Sequence, residues 1–335
     1  MTTSSAATAN SPQGRPVLTV HIGFPKTGTS TLQHHLFRKH RQIEYLGKWG
    51  FPGGEKQAYR DIHVSRIVNH LVGQRSTAPD FELCHRIARE RIWPGGEGGK
   101  ILVLSKEGLA NGHRDEMIRW ANNLKTVFGQ CRVLVMLRDP IRKLPSQYSQ
   151  FLKQNNLSPR ARWKKPHFLA FTEWVQRFRN REDLYRHLNQ IDTLEVYSAA
   201  FGRESIRAFL FEEYQTNPAD YIRGVCEFLG VDPAEGQALA AHRRENRGLG
   251  QSNVERLERI TGSRWRSWWF QMSPLWVRSR MIGVYATSRG GDALQTEIPD
   301  DIREIIRETL RSECDRLRKE WKLPVDRYGY LGIRP

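Results

Sequence analysis

Val17-Leu-Thr-Val-His-Ile-Gly-Phe-Pro-Lys-Thr-Gly-Thr-Ser-Thr-Leu-Gln33 joins a short apolar run to a Gly/Pro-containing loop, and the loop opens into a helix with hydroxyls in its first turn. A strand–loop–helix unit of this kind turns backbone N–H groups and a helix N-terminus toward an anion, usually a phosphate. The G-x-x-x-x-G-K-[ST] spacing of nucleoside-triphosphate loops fits at Gly23 and Gly28, but Thr29 stands where the lysine belongs. The only lysine in the loop is Lys26, two residues before the second glycine. The unit therefore reads as a phosphate-ester site whose chemistry differs from that of a triphosphate loop.

Outward from this stretch, Ile101–Leu104 and Val133–Leu137 repeat the pattern of Val17–Ile22, short runs suited to strands buried on both faces of a parallel sheet. Ile206–Phe211 and Ile43–Leu46 are weaker versions. Helical periodicity fills the gaps at Thr29–Arg38, Gln57–Val72, Phe81–Ile92, Asp115–Phe128 and Pro140–Leu152. Strands alternating with helices imply βαβ units, hence an α/β, three-layer, P-loop-like fold with a mostly parallel central sheet. Residues 154–166 read as a polar, basic loop and 236–252 as a second one rich in Arg, Gly and Asn. Helices are expected at Phe168–Phe178, at Pro218–Leu229 (stopped by Gly230 and Pro233), and near Asp300–Trp321, where alternating charge suggests a solvated surface helix. With no repeat and no low-complexity linker, residues 17–335 are expected to form one domain after a disordered tail at 1–16.

Composition narrows the class. Of the 335 residues 39% are hydrophobic, enough for a packed globule, and 53 Lys+Arg against 36 Asp+Glu give a net charge of +17. Such an excess predicts an anionic partner or surface. Cys84, Cys131, Cys226 and Cys314 have no metal-ligand spacing and imply no disulfide framework. The Ser/Thr/Ala-rich start has no apolar run of a signal peptide, and no stretch is apolar enough to span a bilayer. The expectation is a soluble, cytoplasmic protein.

A second anion signal is Val133-Leu-Val-Met-Leu-Arg-Asp-Pro-Ile-Arg-Lys-Leu-Pro-Ser-Gln-Tyr148. Asp139 suits a helix N-cap and Pro140 the first helical position, which puts Arg138 at the carboxyl edge of the sheet, where ligands of parallel sheets bind. Ser146 would lie about two turns into that helix. Read alone, Arg138 could equally pair with Asp139, and Ser146 could be surface filler.

Together, strand–Pro-Lys-Thr-Gly-Thr-Ser–helix and strand–Arg-Asp-Pro-x-x-x-x-x-Ser resemble the sulfotransferases that use 3′-phosphoadenosine-5′-phosphosulfate (PAPS). Leu210-Phe-Glu-Glu-Tyr-Gln-Thr-Asn-Pro through Phe228-Leu-Gly-Val is similar to a third stretch of that family, so the resemblance spans roughly residues 17–230. It implies that Lys26, Thr27, Gly28, Thr29, Ser30 and Thr31 grip the 5′-phosphosulfate and that Arg138 and Ser146 bind the 3′-phosphate. It further implies PAPS as donor, adenosine 3′,5′-bisphosphate (PAP) as product, and a hydroxyl-bearing acceptor. Arg247 and Gly248 match the family's basic loop over the 3′-phosphate, although a plain surface loop fits the surrounding sequence as well.

Sulfuryl transfer by in-line displacement explains the displaced lysine. Charge grows on the oxygen bridging phosphorus and sulfur, and a cation held there stabilises the transition state more than the ground state. Lys26 suits that role, and no divalent metal is expected. The acceptor needs a base: Glu107, just past the strand Ile101–Leu104, resembles the glutamate of carbohydrate-acting relatives, while His113 is the alternative. Glu107 could instead pair with Lys106 or sit at a helix start, and Lys106 could line the sulfuryl site. Trp49 is a candidate for stacking on the adenine or simply a core residue.

Arg264-Trp-Arg-Ser-Trp-Trp-Phe-Gln-Met-Ser-Pro-Leu-Trp-Val-Arg-Ser-Arg280 mixes tryptophans with arginines. Three readings compete: core packing, a lid over the acceptor, or a patch that meets a membrane holding a lipid-linked acceptor. The first expectation for that acceptor is a carbohydrate or glycolipid. Two competing functions remain. A P-loop kinase or NTPase would need the lysine that Thr29 replaces, and a basic nucleic-acid-binding protein would need a motif that is not found.

Overall fold

A computed structural model describes residues 17–49, 58–59, 61–73, 78–96, 98–156, 168–241, 249–282, 294 and 296–332. The expected tail at 1–16 and the Arg247-Gly248 step lie outside the described residues. The chain divides into two compact units. One takes Met1–Arg138, Asn189–Glu245 and Asp315–Tyr328; the other takes Asp139–Leu188, Asn246–Cys314 and Gly329–Pro335.

Among its described residues the first unit carries seven strands: β1 (Leu18–Gly23), β2 (Ile43–Tyr45), β3 (Lys48–Trp49), β4 (Ala58–Tyr59), β5 (Ile101–Ser105), β6 (Cys131–Leu137) and β7 (Ile206–Leu210). Five of them form a sheet in the order β2-β5-β1-β6-β7, with every neighbouring pair parallel. All six residues of β1 are buried, as the apolar run requires for a strand covered on both faces. One face packs on Leu32, Leu36 and Phe37 and on the helices Pro218–Leu229 and Pro233–Ala240. The opposite face is covered by the helices Arg114–Phe128 and Ile191–Phe201. The expected three-layer α/β architecture is thus the one the chain adopts.

Register decides where the site lies. His21 stands opposite Ser105, and Gly23 opposite Met136. Leu137 stands opposite Leu210. The carboxyl ends of β1, β5, β6 and β7 therefore share one edge of the sheet. The chain moves from β1 to β2 and β5 on one side, then to β6 and β7 on the other, so that edge at β1 is a topological switch point.

Several local expectations need correction. The helix expected from Gln57 begins at Ile62, because Asp61 accepts a bond from the His63 N–H and caps it; Ala58–Tyr59 is instead a strand paired antiparallel to Lys48–Trp49. Pro233 opens a further helix, Pro233–Ala240, capped by Asp232, which occupies the start of the loop expected at 236–252. The helix Asp300–Lys319 is not solvated all round: Ile302, Ile306, Leu310 and Leu317 are buried along one face that the alternating charges mask.

The second unit is helical among its described residues. Tyr148, Phe151, Phe171, Trp174 and Phe178 form a chain of ring contacts 5.3–6.5 Å apart. Asp139 is fully buried and accepts from the N–H groups of Ile141 (2.7 Å), Arg142 (3.1 Å) and Leu331 (3.1 Å). Burial pushes its carboxyl upward while those bonds oppose the shift. Asp139 thus caps the turn at Pro140–Lys143, and the helix starts only at Leu144, running to Asn156. The expected helix start at Pro140 is corrected accordingly. All four cysteines are buried and none forms a disulfide.

Candidate active site

The loop after β1 is held from within. The Phe24 N–H extends the β1–β6 pairing by donating to the Met136 carbonyl (3.2 Å), and the Thr27 hydroxyl closes the loop on the Phe24 carbonyl (2.7 Å). Thr27 is fully buried, and its hydroxyl is used inside the loop. Gly23 must be glycine: an added Cβ would sit 2.9 Å from both Met136 Cβ and Thr29 Cγ2. Gly28 has φ +78° and lies so close to Phe211 that a Cβ would fall 2.8 Å from two ring carbons. Helical geometry begins at Thr29–Thr31 and continues as a π-helical segment, Leu32–Phe37.

Lys26 occupies the crown of this loop at φ +71°, a left-handed conformation rare for a lysine. It is held there from outside: an Arg138 guanidinium N–H donates to the Lys26 carbonyl at 2.9 Å. Such a backbone is sustained only where the surroundings impose it. The same guanidinium lies over the Phe211 ring, 4.8 Å from its centroid, and the Arg138 carbonyl accepts from Gln190 Nε2. The residue after β6 and the residue after β7 thus brace the loop after β1.

The third component comes from β5. The Thr29 hydroxyl and Gln33 Nε2 (3.1 Å) both donate to Oε1 of Glu107. Gln33 also donates to Ser105 Oγ (2.9 Å), which bonds to His21 Nδ1 at 2.7 Å. His21 is fully buried, and loss of solvent drives its pKa down to about 3, so the ring is neutral. Burial raises the pKa of the Tyr45 hydroxyl as well. Lys106, beside Glu107, has its ammonium pKa lowered by burial and by Lys48, with Glu107 opposing.

The structure therefore unites Lys26–Thr31, Glu107 and Arg138, residues far apart in the chain, through direct hydrogen bonds at one sheet edge. His113 is exposed and its N–H donates to Glu116 Oε2 (3.1 Å) at the start of a helix. Ser146 belongs to the second unit, where it is the third residue of Leu144–Asn156 and so in the first turn, not the expected second. One turn on, Ser149 Oγ accepts from the Leu249 N–H (2.7 Å), the first described residue after 242–248. Of Trp49, the backbone lies in β3 and its side chain is outside the description. Among the described residues, no group of three or more His, Cys, Asp or Glu side chains is placed to hold a metal ion.

Gln33, Ser105, His21 and Phe211 were not singled out by sequence. Gln33 was within reach of such reasoning, since it follows Thr29 by four residues and shares its helix face. Phe211 carries no such signal, because its role depends on β7 lying beside β6.

Comparison with known proteins gives the following. The profile of the sulfotransferase family matches residues 19–235. Similar solved structures include a sulfotransferase from Alicyclobacillus acidocaldarius, with 16% identity, 79% of this chain and 95% of that chain covered, and a TM-score of 0.43. The sulfotransferase domain of the Synechococcus PCC 7002 olefin synthase has 12% identity, coverage of 87% and 93%, and a TM-score of 0.33. Sulfotransferase STF9 from Mycobacterium avium has 11% identity, coverage of 85% and 79%, and a TM-score of 0.37. No curated protein matches the chain at a significant level. The profile match covers well over half of the chain, in the segment that holds the loop, Glu107 and Arg138: the chain belongs to the sulfotransferase family.

Proposed function

We propose that the protein transfers a sulfuryl group from PAPS to an acceptor hydroxyl, with Lys26 and Glu107 as the catalytic pair. The observation that carries this reading is the junction of Lys26, Glu107 and Arg138 at the end of β1. The acceptor oxygen attacks sulfur as the bond from sulfur to the bridging oxygen breaks. The acceptor proton passes to Glu107, and the bridging oxygen leaves with adenosine 3′,5′-bisphosphate. Both hydrogen bonds to Glu107 fall on Oε1, so Oε2 is the oxygen that takes the proton. Lys26, on a crown fixed by Arg138, meets the charge that develops on the leaving oxygen.

Backbone N–H groups of Thr27–Ser30 and the Ser30 hydroxyl cradle the phosphosulfate in this scheme, consistent with a glycine at 28 that brings the loop against Phe211, while the Thr31 N–H donates to the Gly28 carbonyl (3.0 Å). Arg138 and Ser146, with Arg247 and Gly248, are assigned to the 3′-phosphate on the sequence match alone. The acceptor is expected to be a carbohydrate or glycolipid hydroxyl. The test is transfer of label from [35S]PAPS to a panel of hydroxyl acceptors, with and without EDTA. Labelled product that survives chelation is expected; transfer from ATP that EDTA abolishes, and none from PAPS, would overturn the proposal.

A further inference from the structure

Residues 264–282 are packed inside out for a water-soluble helix pair. The helix Arg264–Met272 buries Ser267, Phe270 and Gln271 and turns Trp265, Trp268, Trp269 and Met272 outward. Those four lie at i, i+3, i+4 and i+7, one continuous helical face. Their exposures are 77%, 52%, 65% and 56%, and the next helix, Leu275–Ile282, adds Trp276 at 65% and Met281 at 44%. These six are the majority of the nine large apolar side chains that are exposed among the described residues, so the chain gathers its exposed apolar surface in one place. Core packing, one of the three readings of this segment, does not hold for them.

Within the segment itself the charges have one sign, while the preceding helix, Gln251–Thr261, carries Glu255 and Glu258 beside Arg256 and Arg259. The segment 264–282 holds four arginines and no acidic residue. Between its helices and the preceding one lies a cleft of about 440 Å³, lined by Trp265, Trp269, Phe270 and Met281 together with Arg259 and Arg266. The Arg266 guanidinium donates to the Arg259 carbonyl (3.3 Å), which keeps the two arginines adjacent. Arg280 is exposed on the second helix, whereas Arg278 is buried and donates to the Asn156 carbonyl (3.2 Å).

We infer that this Trp/Met/Arg face is a docking surface for an anionic phospholipid bilayer. Tryptophan partitions to the water–headgroup boundary, where its ring is buried and its N–H stays solvated. Arginines at the same level meet lipid phosphates, and the apolar cleft accepts the upper part of an acyl chain. A second copy of the chain is a poorer occupant, because self-association would set two arginine-rich faces of a +17 molecule against each other. The inference is independent of the proposed donor chemistry.

The full-length protein is sedimented with sucrose-loaded vesicles of phosphatidylcholine, with or without phosphatidylglycerol, in the absence of nucleotide. Binding is expected only to the phosphatidylglycerol vesicles and is expected to weaken with salt. The triple variant Trp265→Ser/Trp268→Ser/Trp269→Ser should bind about tenfold or more weakly. Its circular dichroism should be unchanged, since all three side chains are exposed. Arg266→Gln and Arg280→Gln should each weaken binding about fivefold with every tryptophan retained. No binding by the wild type, equal binding by the triple variant, or indifference to both arginine variants would overturn the inference. A wild-type dimer in sedimentation velocity that the triple variant dissociates, with no vesicle binding, would assign the face to a second copy instead.

Discussion

Replacing Glu107 by glutamine and, separately, by alanine divides its two roles. In Glu107→Gln the amide oxygen still accepts from the Thr29 hydroxyl and from Gln33, while an NH₂ group replaces the oxygen proposed to take the proton. Stability should stay within about 1 kcal/mol of wild type, and turnover should fall about 10²–10⁴-fold, the usual contribution of a general base. Glu107→Ala removes the acceptor from both donors. A hydrogen bond to a charged group contributes about 1.5–3 kcal/mol, and because these groups are only part-buried, solvent replaces some of it, leaving a loss of about 2–3 kcal/mol for the pair. Urea unfolding of both variants reads the stability, and initial rates with [35S]PAPS and the best acceptor of the panel read the turnover. A glutamine variant that turns over at the wild-type rate would refute the base assignment and pass the role to His113. An alanine variant as stable as wild type would refute the energetic role of the Thr29–Glu107–Gln33 bonds.

Gly28→Ala places a left-handed alanine 2.8 Å from the Phe211 ring, under the ring's contact with Arg138. It should cost about 1–3 kcal/mol in urea unfolding and weaken binding of adenosine 3′,5′-bisphosphate; wild-type values for both would contradict the close loop–ring packing. His21 has a folded pKa depressed to about 3 from an unfolded 6.5, so its contribution is complete above pH 6.5 and is lost as pH falls from there toward 3. Between pH 6 and 4 its share of the stability slope approaches about 1.4 kcal/mol per pH unit, and His21→Asn should remove that share; an unchanged slope would show that His21 is not held neutral. Lys26→Ala should cut turnover about 10²–10³-fold while bisphosphate affinity changes by about tenfold or less, and the opposite pattern would make Lys26 a binding residue only.

The strands of the sheet were readable to within two residues at either end, because runs such as Val133–Leu137 are apolar on both faces and need no partner to be recognised. The loop and Arg138 were readable for the same reason: each follows directly from the end of such a strand. What escaped was set by packing. The helix after Arg138 starts four residues late because Asp139, buried with Leu331, organises a turn first. The helix Ile191–Phe201 was missed because its apolar residues spread round the helix between Asp192, Thr193, Glu195 and Ser198 instead of forming one stripe, whereas Arg264–Met272 was missed although Trp265, Trp268, Trp269 and Met272 recur at helical spacing. Glu107 was found as a strand-end carboxylate, but the polar chain His21–Ser105–Gln33 that holds it exists only once β1 and β5 are in register.

In the proposed function the loop at Gly23–Thr31 and Arg138 form one half of a PAPS site. Titration calorimetry with adenosine 3′,5′-bisphosphate tests it without knowledge of the acceptor. Loss of one partner of a charged contact typically costs 2–5 kcal/mol, so Arg138→Ala should weaken binding by about 30-fold or more. Urea unfolding of the variant checks that the loss of its bonds to Lys26 and Phe211 leaves the sheet intact. Wild-type binding of the bisphosphate with that loss in Arg138→Ala is the predicted result; no binding by the wild type, or equal binding by a folded Arg138→Ala, would contradict the account.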